Sequence, residues 1–324
     1  MLYKVQKFLW DVFSKKTQKN ELIYNPTGLV IDTTLLCNNC CSFCWRHNKP
    51  EYLVECNKKY EFKTMPFDIY KKIIDDAVQY KSITWLSLCG PMGEPLMNEH
   101  IEDFFEYAYK KNHFKQISIN TNGLALDRRN IGKLLNSINE FSISVDSINT
   151  DTYEKIHGHK NLDKVVSNIK RLVEYKKEHG AVADIWVRFT ENNLNRGQFE
   201  EFKTFFTNLG VDYINYTREH SFAGVNDTLN NKQTAELCIQ PEKIINFNFL
   251  GDLTTCCINW HMNPTFGNIK NKTIKQLWES KKKIKWNNNR LKKKPCNKCS
   301  GLGYEVQHST IVDLKNKQKD KRKI

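Results

Sequence analysis

The sequence predicts an α/β protein, a parallel sheet with helices outside it, followed by a small cysteine-rich α+β extension. Three observations predict this. Between residues 28 and 216, six short β-like runs alternate with five helical runs. Right-handed crossovers convert such an alternation into a parallel sheet covered by helices. Four thiols fall within eight residues just after the first run, in Cys37-Asn38-Asn39-Cys40-Cys41-Ser42-Phe43-Cys44. Four more, Cys238, Cys256, Cys296 and Cys299, stand in the last third of the chain. Loops at the carboxyl ends of parallel strands are where ligands collect, and the first thiol group lies at such an end.

The elements follow in order. Leu2, Val5, Leu9 and Val12 have helical spacing in a basic, aromatic lead expected to pack on the body or a partner. Asn25 to Gly28 signals a turn, and a first strand is expected over 28–33. Residues 45–64 read as a polar, irregular loop, longer than an ordinary connection. A helix is expected over 66–80, with Pro66 in its first turn. Then come a strand over 83–89, a Gly/Pro loop and a helix over 99–111. A strand over 116–120, a helix over 127–138 and a strand over 141–145 follow. The helix over 162–179 ends at Gly180 and the helix over 199–209 at Gly210, glycines suited to a left-handed cap. Strands over 183–189 and 211–216 complete the set. The expected division is a helical lead over 1–27, a core over 28–225, the cysteine-rich extension over 226–305 and a basic, disordered tail over 306–324.

Composition narrows the class. The chain has 324 residues, 40% of them hydrophobic, enough for a sizeable core. It has no apolar run of the ~18 residues that a membrane-spanning helix needs, and its charged N-terminus lacks the form of a signal peptide. Eleven cysteines, an odd count, then read as metal ligands in a reducing, cytoplasmic setting and not as disulfides. The net charge is +14, and most of it sits in residues 281–294 (KKKIKWNNNRLKKK) and 313–324 (DLKNKQKDKRKI). These segments read as a solvated helix face and a tail, or as an attractor for an anionic partner or substrate.

Cys37, Cys41 and Cys44 have the spacing C-x3-C-x2-C, close enough for their thiolates to converge on one soft metal centre. Cys40 offers a second register, C-x2-C-x3-C, through Cys37, Cys40 and Cys44. The first register, with Phe43 before its last cysteine, resembles that of the radical S-adenosylmethionine (SAM) enzymes. The resemblance implies a partial (β/α)6 barrel. It also implies a 4Fe-4S cluster on Cys37, Cys41 and Cys44, whose open iron is chelated by SAM. Other motifs match in order. Cys89-Gly90-Pro91-Met92-Gly93-Glu94-Pro95-Leu96 resembles the family's Gly-Gly-Glu-Pro motif for the SAM amino group, with Met92 in place of the first glycine. That match implies SAM contacts at Gly93, Glu94 and Pro95. Asn120-Thr121-Asn122-Gly123 resembles the family's Thr-Asn-Gly turn and marks Asn122. Ser142-Ile143-Ser144-Val145-Asp146 resembles a strand end whose serine, here Ser144, meets the SAM ribose. Arg188 is a candidate for the SAM carboxylate. His157-Gly158 stands where relatives usually carry Arg-Gly, and no histidine shows ligand spacing.

In the last third, Cys238, twelve residues, Gly251, four residues and Cys256 precede Cys296-Asn297-Lys298-Cys299. A separated pair plus C-x2-C can close a four-thiolate site. C-x12-G-x4-C is similar to the start of the SPASM and twitch extensions of radical SAM enzymes. With no cysteine after Cys299, the resemblance implies the shorter twitch form. One auxiliary 4Fe-4S cluster would then sit on Cys238, Cys256, Cys296 and Cys299, with Cys257 able to replace Cys256. The implied activity is reductive cleavage of SAM to a 5′-deoxyadenosyl radical that takes hydrogen from substrate. A flavodoxin or ferredoxin would donate the electron, and the auxiliary cluster would accept one in a dehydrogenase-like oxidation. The short lead, too small for a leader-peptide-binding domain, points to a small, carbohydrate-like substrate, anionic if the basic segment takes part. A peptide- or protein-modifying maturase and a non-catalytic protein with two zinc sites are the other classes left open.

Overall fold

The computed structural model describes residues 25–60, 62–226, 238–300 and 309–315. The helical lead expected over residues 1–27 therefore lies, up to residue 24, outside the described residues. One sheet organises the rest. Its six core strands are β1 (Gly28–Ile31), β2 (Trp85–Leu88), β3 (Gln116–Thr121), β4 (Glu140–Ser144), β5 (Asp184–Glu191) and β6 (Tyr213–Arg218), each parallel to the next.

The helices run in chain order as α1 (Trp45–Asn48), α2 (Pro50–Lys59), α3 (Phe67–Ala77), α4 (Ile101–Lys110), α5 (Ile131–Ser137), α6 (Thr150–His157), α7 (Leu162–His179) and α8 (Phe199–Leu209). After them come α9 (Gln240–Lys243), β7 (Ile244–Phe247), β8 (Leu253–Thr254), α10 (Ile274–Trp278), α11 (Lys281–Asn287) and β9 (Thr310–Asp313).

Alternation along the strands explains the layering. Leu29 and Ile31, Leu86 and Leu88, Ile117 and Ile119, Phe141 and Ile143, and Val187 and Phe189 are buried in the apolar core shared with the helices. Successive side chains point to opposite faces, so the other face carries Ser87, Ser118, Asn120, Ser142, Ser144 and Arg188. Parallel sheets are usually apolar on both faces. A polar inner face marks this one as a binding surface. On the outer side, Tyr70 of α3 stacks on Phe104 of α4 at 4.1 Å between centroids, both fully buried. Truncating either ring to alanine would cost about 3–5 kcal/mol.

Three expectations change. First, the described sheet has nine strands, in the order β8-β7-β1-β2-β3-β4-β5-β6-β9. The chain beyond residue 226 extends the core sheet at both edges. β7 lies parallel to β1 and β9 antiparallel to β6. Part of the supposed disordered tail over 306–324 is therefore strand β9, and Leu314 after it is fully buried. Second, residues 45–64 are not an irregular loop, since α1 and α2 occupy 45–48 and 50–59. Pro50 starts α2 at its first position, but Cys56 is its one buried residue, so the apolar period is short. Third, α6 was unanticipated. It is bracketed by the Asn149 cap, whose side chain accepts from Thr152 N, and by Gly158 at φ +82°.

Candidate functional site

The loop that leaves β1 carries Cys37, Cys41 and Cys44, and three other elements hold it. The end of α6 is the first. Cys40 N donates to the His157 carbonyl at 3.2 Å and Ser42 N to the Ile156 carbonyl at 2.8 Å. A Cβ on Gly158 would come within 3.1 Å of the Cys40 carbonyl, so the approach needs glycine there as well as its positive φ. The His157 ring, 1% exposed, places Nδ1 3.4 Å from Cys41 Sγ. Its Nε2 donates to the Val145 carbonyl at 3.0 Å. In the neutral ring Nδ1 is then an acceptor turned toward the thiol. Asp146, at φ +62°, lies 3.3 Å from the same Nε2 and accepts from Thr190 N at 2.6 Å. The end of β4 thus reaches the thiol loop through one histidine.

The turn after β2 is the second clamp. Glu94 N donates to the Leu36 carbonyl at 2.8 Å. A Cβ on Gly93 would sit 2.3 Å from the Thr34 carbonyl and 2.5 Å from the Leu36 carbonyl. Gly93 is required so that this turn can lie against the thiol loop. The Glu94 carboxylate, 4% exposed, accepts from Leu96 N, Thr121 Oγ1 and Asn122 N. Burial pushes its pKa up. Asn122 Nδ2 in turn donates to Asn38 Oδ1 at 2.7 Å. Glu94 and Asn122 therefore join the turn, the end of β3 and the thiol loop. The third clamp is the segment after the thiols. Trp45 Nε1 donates to the Pro91 carbonyl, and Arg46 donates to the Leu35 and Met92 carbonyls at 2.8 and 3.0 Å.

The thiols suit an iron–sulfur centre chemically. Burial pushes Cys37 up to about 12 and raises Cys41 and Cys44, and Cys37 and Cys44 each raise Cys41 further. Such thiols lose their protons to a cation and to little else. Exposed Cys40 faces His47 Nδ1 at 3.7 Å and still acts on Cys44.

Ser144 is half-buried at the end of β4, in register with Arg188 on β5. The Arg188 charge acts on Cys89 and on Glu140, which burial pushes up to about 7. Both expected SAM contacts thus lie on the polar inner face of the sheet.

The second thiol set is brought together by the fold. Cys256, 8% exposed, is raised well above the ordinary thiol value by burial and then by Cys296, Cys299 and Cys238. Cys256 and Cys257 both line one cavity, and Cys256 is the one that feels Cys238, Cys296 and Cys299. Two cations of the basic segment turn inward beside this set. Lys283, 1% exposed, donates to the Pro241 carbonyl and to Asn287 Oδ1, and lies 4.3 Å from the Trp278 ring centroid. Arg290, 8% exposed, donates to the Cys238 carbonyl at 3.1 Å. The reading of 281–294 as a solvated face fails at these two residues. Among the described residues, no three His, Cys, Asp or Glu side chains meet closely enough to hold one ion. The assignment of both sets rests on spacing, burial and mutual electrostatic contact.

Sequence reasoning missed His157, Asp146 and Lys283. His157 had a signal, since Asn149 and Gly158 bracket a helix whose Tyr153, Ile156 and His157 share one buried face. Lys283 had none, because nothing local distinguishes it from its neighbours Lys281 and Lys282.

Comparison with known proteins places these features in a family. Residues 31–202 match the radical SAM superfamily, and residues 238–300 match an iron–sulfur cluster-binding domain, SPASM. A probable GTP 3′,8-cyclase of Methanosarcina mazei is 27% identical over 167 residues, 49% of this chain and 47% of that one. A GTP 3′,8-cyclase of Clostridium perfringens is 26% identical over 146 residues, 45% and 42% of the two chains. The chain spans about half the length of the curated relatives it matches. Among solved structures, Streptococcus suis SuiB bound to precursor peptide SuiA has a TM-score of 0.65 at 14% identity, covering 94% of this chain and 74% of that one. BtrN in complex with AdoMet and 2-DOIA has a TM-score of 0.55 at 15% identity, covering 86% and 94%. These two likenesses bear on the fold.

Proposed function

The chain belongs to the radical SAM superfamily, and from that premise we propose that it oxidises a small, polar, carbohydrate-like substrate by hydrogen abstraction. Bound by the residues of this site, a 4Fe-4S cluster and SAM would supply the 5′-deoxyadenosyl radical for that abstraction. The residues fit such a group: three half-buried thiols, each raised by burial, on a loop clamped from three sides, beside a turn with room for backbone approach only because Gly93 has no side chain. Cys37, Cys41 and Cys44 would hold the cluster. The turn at Gly93, Glu94 and Pro95, with Asn122, would orient the methionine end of SAM. Ser144 and Arg188 would take its ribose and carboxylate. Cys238, Cys256, Cys296 and Cys299 would hold an auxiliary 4Fe-4S cluster able to accept the substrate's second electron.

The observation that carries this reading is that β7, paired with β1, and β8 bring Cys256 of the second thiol set to the sheet whose β1 leads into the first. Cys256 lines one cavity with Val30 and Asp32 of the core, so a substrate on the polar inner face would lie close to it. Among the described residues no helix is long and apolar enough to cross a membrane. A cytoplasmic enzyme served by flavodoxin or ferredoxin is the corresponding setting. The test is anaerobic reconstitution with iron and sulfide counts, then a 5′-deoxyadenosine assay with SAM and dithionite. About eight irons per chain and SAM cleavage are expected. Zinc in place of iron, without cleavage, would overturn the reading. The GTP 3′,8-cyclase relatives make GTP the first nucleotide to try as substrate.

A further inference from the structure

A cavity opens where the ends of β1, β2 and β7 meet, between the Gly90–Met92 turn and Cys256. Its polar lining is uncharged in kind but for one carboxyl. Asn246, Asn248 and Asn259 all line it, and each is 3% exposed or less. Four of their amide atoms have no hydrogen-bond partner: Asn246 Oδ1, Asn248 Nδ2, and both Oδ1 and Nδ2 of Asn259. Buried amide groups without partners are rare and costly. Three around one cavity indicate a ligand that supplies the missing bonds.

Two of the three amides are held in place by their other atoms. Asn248 Oδ1 accepts from Leu250 N and Asp252 N at 3.1 and 2.9 Å, and Asn246 Nδ2 donates to the Ile244 carbonyl at 2.9 Å. Asp32, 5% exposed, completes the wall, with Oδ2 accepting from Met92 N at 3.0 Å. Its carboxyl packs so closely on Gly90 that a Cβ there would lie 2.2 Å from Cγ. Burial pushes the Asp32 pKa up to about 8, so at neutral pH the carboxyl is mostly protonated. No lysine or arginine lines the cavity.

We propose that this cavity binds an uncharged, hydroxyl-bearing group of the substrate, as in a polyol or sugar. Asn248, Asn259 and the protonated Asp32 would donate to it, and Asn246 and Asn259 would accept from it. The inference rests on the radical SAM reading above and narrows its substrate class. A phosphate or carboxylate would find no cation here, and an apolar group would leave four amide atoms unpaired. A hydroxyl both donates and accepts, which is what the wall offers. Water alone filling the cavity is the competing account.

The probe is myo-inositol, titrated calorimetrically into anaerobically reconstituted, SAM-loaded full-length protein, with a myo-inositol monophosphate and GTP run beside it. The variants are Asn248→Asp and Asn259→Ser. Asn248→Asp keeps an acceptor for Leu250 N and Asp252 N and replaces the cavity-facing donor with an ionisable carboxyl oxygen. Iron content and thermal melting report whether each variant is intact. Saturable binding of myo-inositol, weakened tenfold or more in either intact variant and not improved by a phosphate, is expected. Absence of myo-inositol binding, tighter binding of the phosphorylated probes, or variants that bind like the wild type would overturn the proposal. The wild-type sample is also assayed for 5′-deoxyadenosine. If it cleaves SAM and fails to bind the polyol, the cavity assignment alone falls. If it does not cleave SAM, the radical reading itself falls.

Discussion

The two thiol sets solve one problem in opposite ways. The first is contiguous in sequence, and its thiols are half-buried except for the exposed Cys40. It is held by hydrogen bonds reaching it from the turn after β2, the end of β3 and the end of α6. The second is scattered over some sixty residues, and Cys256 and Cys299 are buried. It sits beside two buried cations, Lys283 and Arg290. The difference suits the role proposed for each. A cluster that receives SAM needs an open side, so neighbouring elements fix its loop from behind. An auxiliary cluster closed by four thiolates can be enclosed, but the enclosure concentrates negative charge, and buried charge has to be matched.

The largest expected effect breaks the first set. Cys41→Ala should abolish 5′-deoxyadenosine formation and remove about four irons per chain. Continued SAM cleavage in this variant would exclude Cys41 as a ligand. Next, replacing Cys296 and Cys299 with alanine should also remove about four irons, while SAM cleavage persists without oxidised product. An iron count equal to the wild type would remove the auxiliary cluster from the account.

Changing a supporting residue tests the comparison more finely. His157→Gln keeps a hydrogen-bonding side chain near Cys41 but loses the fixed ring. Loss of a residue that orients a metal ligand typically costs 10–100-fold in metal affinity. The expected result is faster iron release to a chelator from the first cluster alone, read by its absorbance decay. Equal release rates would reduce His157 to a packing residue.

The smallest effect concerns Lys283. Lys283→Met should leave the iron count unchanged and move the auxiliary cluster to a more negative reduction potential, because a nearby positive charge has gone. An unmoved potential in a redox titration followed by EPR would show that the lysine does not act on the cluster. The cluster-free protein gives a second reading. Burial lowers the Lys283 pKa to about 7 in the folded chain, against about 10.4 for an unfolded lysine. Between those values the unfolded chain binds the extra proton, so this residue makes stability rise with pH across that window. Lys283→Met should flatten that rise in denaturant titrations at pH 7 and pH 10.

The sequence by itself determined the parallel α/β core, the place of the first thiol set after its first strand and the order of the motifs around it. These are local signals: strand and helix periodicity, ligand spacing within one loop, and glycines where the backbone must turn or approach closely. Helices α7 and α8 lie where their patterns and capping glycines put them. Tertiary structure decided the rest. It folded Thr310–Asp313 into the sheet, turned Lys283 inward while Lys281 and Lys282 stay exposed, set His157 against Cys41, and gathered three asparagines from the extension around Asp32 of the core. None of these has a local signature. Each depends on which distant backbone segment lies alongside, and that is fixed only when the sheet closes its register.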